Sequence, residues 1–316
     1  MPTTIWIIRR LLSDILAHRR KASLKSLIAR FVRSLRVLAY LPEHKKFLQL
    51  DVVRLHLADK WNIDLFHHLS QRSYLCEDLP VRTRIAYWFA HYRLEDRTFI
   101  PRYKTTLYRK GGFLLWEREV AGKRFAITLT LSPRWAPEGE LSICLLMNGK
   151  TLHCLSFNWI DGTFAGLGQP IVPLVARNQG ASSHVQDALA AFNQAFPNNS
   201  PSFFCFAAMQ GIAEAVHSNY VVAIKGDANI CYENKGKASN FTNAYDKFWK
   251  SLGGVEVANG KYLISLPFYT KPLEEISAKH RKRASIRRSF WKDISSSSCK
   301  TIQPYTFHKC NTLIAA

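Results

Sequence analysis

The chain has 316 residues, of which 47% are hydrophobic and 21% charged, with a formal net charge of +21. Those proportions exclude a disordered chain and allow one large domain or two. The charge favours nucleic acid, anionic lipid or an acidic partner and does not specify a fold. It is also uneven. Eleven Lys or Arg face two acids between Arg9 and Lys46, and seven face none between Lys279 and Lys292.

Residues 4–40 have helical spacing: Ile5, Ile8, Leu12, Ile15 and Leu16, then Leu24, Leu27, Ile28, Phe31, Leu35 and Leu38. Pro42 is expected to end that helix. Further helices are expected over about 43–57 and 80–93. Ile5-Trp6-Ile7-Ile8 is too short for the apolar core of a secretory leader, and Asp14, His18, Arg19 and Arg20 break the apolar run beyond it. No stretch reaches the ~20 apolar residues that span a bilayer. Seven cysteines, odd in number and irregular in spacing, predict free thiols rather than a disulfide framework. The expectation is therefore a reduced, cytoplasmic chain.

Residues 103–160 read as an antiparallel meander. Two strand-like runs flank Gly122, and two more flank Asn148-Gly149, a strong short hairpin signal. Next come extended residues 170–175, helices over 183–196 and 203–218, and a strand at Tyr220–Ile224. A helix over 241–252 stops at Gly253-Gly254. A second Asn-Gly pair, Asn259-Gly260, sits between two short strands. The run Ser295–Ser298 has no periodicity and reads as the start of a poorly ordered tail. The sum is an α+β chain: a helical, basic region over 1–100, an α+β domain with a basic C-terminal helix over 101–293, and a tail over 294–316.

Three stretches together resemble the VirK/YbjX family of enterobacterial proteins. They are Arg84–Tyr92, the meander from Gly139 to Phe157, and Tyr245–Arg288 with its Tyr-Asp-Lys-Phe-Trp-Lys-Ser-Leu-Gly-Gly run. The resemblance spans most of residues 30–292. It implies an accessory of virulence and envelope biogenesis, tied to surface display of outer-membrane proteins, and it transfers no catalytic residue.

The segment Arg177-Asn178-Gln179-Gly180-Ala181-Ser182 lies between an extended run and an expected helix. It is similar to the loop with which GNAT-type acyltransferases hold the pyrophosphate of coenzyme A. Backbone N–H groups at a helix start suit an anion, and Arg177, Gln179, Gly180, Ala181 and Ser182 are the candidate contacts for a CoA thioester. An ordinary helix cap at Ser182 or Ser183 accounts for the same residues. His56, His67 and His68 lack a partner spacing that suits a metal and read as structural. Cys144 and His153 are expected near one another across a hairpin, as core residues rather than a nucleophile and its base.

Arg9, Arg10, Arg19 and Arg20 at one end, and Lys279, Arg281, Lys282, Arg283, Arg287, Arg288 and Lys292 at the other, are candidates for binding an anionic surface. Ile286, Phe290 and Trp291 among the latter make a basic amphipathic helix that suits a membrane surface or an acidic protein. Nucleic acid ranks behind lipid, because no helix-turn-helix, zinc finger or RNA-binding aromatic motif is present. Three functions stand on these features. The first is a cytoplasmic accessory that binds at the inner membrane face. The second is a GNAT-like acyl- or aminoacyl-transferase. The third is a nucleic-acid-binding regulator.

Overall fold

Two tight turns set the register of the central sheet. Ala121 and Gly122, with φ of 50° and 69°, join β1 (Phe113–Val120) to β2 (Lys123–Leu131). Asn148 and Gly149, with φ of 45° and 79°, join β3 (Leu141–Met147) to β4 (Lys150–Ile160). Two successive positive φ values match the right-handed twist of flanking strands, which is why Asn-Gly serves here. The computed structural model describes residues 3–18, 23–58, 65–69, 73–133, 137–180, 185–232, 242–257 and 260–307.

The architecture is α+β. Eight strands form one sheet in the order β1-β2-β3-β4-β5-β6-β8-β7, with β5 at Val172–Gly180, β6 at Tyr220–Ile224, β7 at Val255–Val257 and β8 at Lys261–Ser265. Every neighbouring pair is antiparallel except β5 and β6, which run parallel. Phe125 of β2 packs on Phe192 and Phe196, at and just after α7 (Gln186–Ala195), and α8 (Pro201–Ala215) lies on β3, β4 and β5. Alternate residues point to the opposite face. There Ser132, Ser142 and Ser156 form a hydroxyl chain with 2.8 Å links.

The long helix of residues 4–40 divides into α1 (Thr3–His18) and α2 (Leu24–Ala39), joined through Asp14, which pairs with Arg30 and Arg33 at 2.6 and 2.5 Å. Pro42 opens a helix instead of ending one. It occupies the first turn of α3 (Leu41–Leu48), where its missing N–H costs nothing. The helix expected over 43–57 is split between α3 and α4 (Asp51–His56). Next come α5 (Val81–Thr98) and α6 (Pro101–Arg109), so the meander starts at residue 113 rather than 103. The main core joins Phe47, Val52, Trp88 and Tyr92 to the sheet residues without a break at residue 100. A satellite cluster of Ile7, Leu11, Val37, Phe66, Leu69 and Ile85 seats α1 and α2.

After β6, a π-helical turn at Asn243–Lys247 runs into the short α9 (Phe248–Ser251), and Gly253 at φ 81° ends it. Of the second Asn-Gly pair, Gly260 has φ 63° just before β8, and Asn259 lies outside the described residues. The tail expected from residue 294 is instead helix: α10 runs from Ala278 to Ile302. Its buried positions, Trp291, Ile294, Ser295, Ser298 and Ile302, recur at helical spacing. Serines fill two of them because α8 comes very close: a Cβ added at Gly211 would lie inside the envelope of Ser295 O and 2.9 Å from Ser298 Cβ. Trp116 Nε1 and Ser297 Oγ tie the same helix to β1, donating to Asp293 Oδ2 at 2.8 Å and Leu115 O at 2.7 Å.

The expected absence of disulfides does not hold. Cys144 and Cys154 are directly opposed on β3 and β4, with Cα atoms 4.4 Å apart, and form a disulfide. That spacing is typical of a non-hydrogen-bonded antiparallel pair and falls at the short end of disulfide geometry. Cys144 therefore faces Cys154, and His153 faces Leu145.

Candidate functional site

The parallel pair holds for only two residues, Leu174 with Val222 and Val175 with Ala223. Beyond it β5 bulges. Ser156 pairs with Arg177 but Phe157 pairs with Val175, so Ala176 is the extra residue. A bulge bends its strand and ends regular pairing, and here it follows directly on the last β5–β6 pair, Val175 with Ala223. The β5 edge thereby loses its ladder partners, and side chains replace them. Asn229 Nδ2 donates to Ala176 O at 3.1 Å, and Asn178 N donates to Tyr245 Oη at 3.1 Å.

Tyr245 Oη is the hub of this buried cluster. It also accepts from Asn229 Nδ2 at 2.9 Å and Gln179 Nε2 at 3.4 Å. Glu138 completes the cluster, with Oε1 accepting from Gln179 Nε2 at 3.3 Å and Asn229 Nδ2 at 3.4 Å. Arg177 Nε lies 3.6 Å from Glu138 Oε2 and has no hydrogen-bond acceptor among the described residues. Arg177 and Gln179 are register partners of Ser156 and Cys154, so they share the polar face of the sheet with the serine chain and the disulfide.

Burial holds the Glu138 carboxyl above its ordinary range, and Arg177 and Asn229 offset only part of that. Burial first, then the charge of Glu138, pushes the Tyr245 hydroxyl well above the phenol value. Cys231 Sγ lies 4.0 Å from Glu138 Oε1, and desolvation plus that carboxylate raise its thiol. Cys205 is fully buried and pushed up to about 12. Neither thiol has the lowered pKa of a nucleophile. The site therefore combines a carboxyl titrating nearer neutrality, a protonated phenol fed by three N–H donors, and one guanidinium.

The sequence-expected anion loop is placed differently. Arg177, Gln179 and Gly180 belong to β5, with Gly180 opposite His153, so they do not open a helix. Alternating strand geometry continues past the bulge, where the sequence suggests a loop after residue 175. Ala181 and Ser182 lie outside the described residues. Glu138 and Asn229 carry no sequence signal, and Tyr245 is marked in the sequence by the run that carries the family resemblance but not as a site residue.

The histidines are structural. His67 Nε2 lies 2.8 Å from Glu140 Oε1, which also accepts from Tyr74, and His68 stacks on Trp88 with centroids 3.9 Å apart. His56 Nδ1 accepts from Arg109 Nε at 3.2 Å. Among the described residues no group of three or more His, Cys, Asp or Glu is placed to hold a metal ion.

The basic ends separate into two kinds of residue. Arg10 is buried with its guanidinium 5.8 Å from the Trp6 ring, which removes it from any surface. Arg281 donates to the carbonyls of Ile276 and Glu274, Arg288 donates to Lys271 O, and Arg287 stacks on Trp291 at 5.1 Å. Arg9, Lys279, Lys282, Arg283 and Lys292 are exposed. Arg19 and Arg20 lie outside the described residues. Beside Arg9, α1 exposes Ile5, Ile8, Leu12 and Leu16, and α2 exposes Leu24, Ile28, Phe31, Leu35 and Leu38. Both sets recur at i, i+3 or i+4, so each helix carries an outward apolar stripe as well as its core-facing one. No helix among the described residues is long and apolar enough to cross a membrane.

No curated protein and no solved structure matches the chain. A family model described as a protein of unknown function, DUF535, matches residues 24–298, and the chain belongs to that family.

Proposed function

We propose that this protein transfers an acyl group from a CoA-type thioester at the Tyr245–Glu138 cluster beside the end of the β5–β6 pairing. The observation that carries the reading is the end of the parallel pairing at the Ala176 bulge, next to Tyr245 and Glu138. Parted parallel strands are what a GNAT-type acyltransferase uses to admit the thioester arm. The chemistry comes from the groups present. An acceptor amine or hydroxyl attacks the thioester carbonyl carbon and gives its proton to the Glu138 carboxylate, which burial makes a stronger base than an exposed carboxylate. The C–S bond breaks, and the leaving thiolate takes the proton of Tyr245, which burial keeps protonated. Arg177 supplies positive charge for the donor's phosphates. The test is release of CoA thiol from acyl-CoA in the presence of candidate amines. Tyr245→Phe should lower turnover about 100-fold, within the usual range for a proton-transfer residue. Wild-type protein that neither binds CoA nor turns over any acyl-CoA would end the reading.

A second reading is favoured by the stripes on α1 and α2. In it the chain is a VirK/YbjX-type accessory of envelope and virulence-factor biogenesis that binds at the inner membrane face. Exposed apolar side chains on two adjoining helices, in a chain of charge +21, fit a lipid surface better than open water. Vesicle co-sedimentation of Leu12→Asp/Phe31→Asp protein tests it. Equal pelleting of variant and wild type on anionic vesicles would count against it.

A further inference from the structure

A groove separate from the Tyr245 cluster lies between α8, the segment 267–270 and α10. Its volume is about 570 Å³. One face of α10 forms its length: Arg288, Lys292, Ser295, Cys299, Lys300 and, just past the helix, Gln303 line it. Fifteen residue steps at ~1.5 Å rise make that wall about 22 Å long. Phe268 and Trp291 supply apolar surface, and Gln210 and Glu214 of α8 form the facing wall. Gln210 holds the groove in shape, donating to Ser295 Oγ at 3.3 Å and accepting from Phe268 N at 3.0 Å.

Two residues that line this groove each carry a buried donor without an acceptor among the described residues: Trp291 Nε1, on a residue only 6% exposed, and Arg288 Nε. A buried N–H without a partner costs more than a made hydrogen bond gains, so native structures rarely leave one. Lys292 and Lys300 are exposed on the same lining, and Glu214 is its one acid among the described residues, which leaves two net positive charges with Arg288. Unpaired donors, an excess of cations and an aromatic wall together select an acceptor-rich anion with an apolar part.

We propose that this groove binds a phosphate-bearing ligand, either a soluble phosphomonoester or the phosphate of a lipid headgroup. Trp291 Nε1 and Arg288 Nε donate to its oxygens, and Lys292 and Lys300 hold its charge. The site is independent of acyl transfer and of the α1–α2 stripes.

The experiment titrates the full chain by calorimetry with glycerol 3-phosphate and inorganic phosphate. A parallel arm uses vesicles with and without phosphatidylglycerol. Lys292→Ala and Lys300→Ala each weaken binding about tenfold or more, as expected for a lost charge-assisted hydrogen bond. Trp291→Phe keeps the ring and weakens it several-fold. Lys279→Ala and Lys282→Ala, on the same helix but off the groove, leave the affinity for glycerol 3-phosphate unchanged. Competition between vesicles and glycerol 3-phosphate identifies the lipid source, and binding of the small phosphate alone identifies the soluble one. No binding of any probe, or equal loss in the groove and control variants, overturns the proposal.

Discussion

Replacing Gly211 with alanine is a sharp test of the packing between α8 and α10. Alanine favours a helix interior over glycine by about 1 kcal/mol, so helix propensity alone predicts a gain. The structure predicts the reverse. The new methyl would overlap Ser295 O and its carbonyl carbon and come within 2.9 Å of Ser298 Cβ. Those are mostly backbone atoms of α10, which cannot rotate away, so the helix itself must move. Overpacking of this kind costs about 1–3 kcal/mol, and a backbone obstacle puts it at the upper end. Net destabilisation is then about 2 kcal/mol, a fall in Tm of about 3 °C for a chain of this size. Urea unfolding followed by tryptophan fluorescence reads it directly. The companion Ser298→Ala should be neutral or stabilising, because the Ser298 hydroxyl is buried without a partner. A Gly211→Ala protein as stable as wild type would refute the close approach of the two helices.

Burial pushes the Glu95 carboxyl up to about 8, against the help of the Tyr108 hydroxyl that donates to it. A raised folded-state pKa makes the folded chain bind the proton more tightly than the unfolded chain. Stability from this group is full below about pH 4.5 and is lost as pH rises to about 8, and Glu95→Gln should flatten that fall in urea titrations across the window. Reversing exposed Lys279, Lys282 and Arg283 to Glu should leave Tm unchanged while weakening anionic-vesicle binding. Reversing Arg281 and Arg288 should lower Tm, because their guanidinium groups satisfy carbonyls of Lys271, Glu274 and Ile276. Thiol titration of denatured protein purified without reductant should find two fewer thiols than after reduction, the difference being Cys144 and Cys154. Equal counts would remove the disulfide.

The sequence is most legible where local chemistry decides conformation. Asn148-Gly149 and Gly122 mark their turns because only residues tolerant of positive φ fit there, and the Gly253 stop obeys the same rule. It is least legible where tertiary packing overrides pattern. Ser295 and Ser298 look like a polar tail, yet they are core positions because Gly211 admits nothing larger. Arg281 and Arg288 look like surface charge, yet they cap carbonyls. The candidate site shows both limits. Arg177 and Gln179 read as a phosphate loop and lie in the cluster as strand residues. Their partners Glu138, Asn229 and Tyr245 lie 39, 52 and 68 residues away from Arg177 in sequence, and the tertiary fold brings them together where the β5–β6 pairing ends.

Backbone hydrogen exchange on the full chain, with and without CoA, is the most direct test of acyl transfer at this cluster. CoA should slow exchange at Arg177–Gly180 on β5 and at Lys225–Asn229 after β6, while the edge strands β1 and β7 stay unaffected. Unchanged exchange at both segments, under saturating CoA, would contradict it.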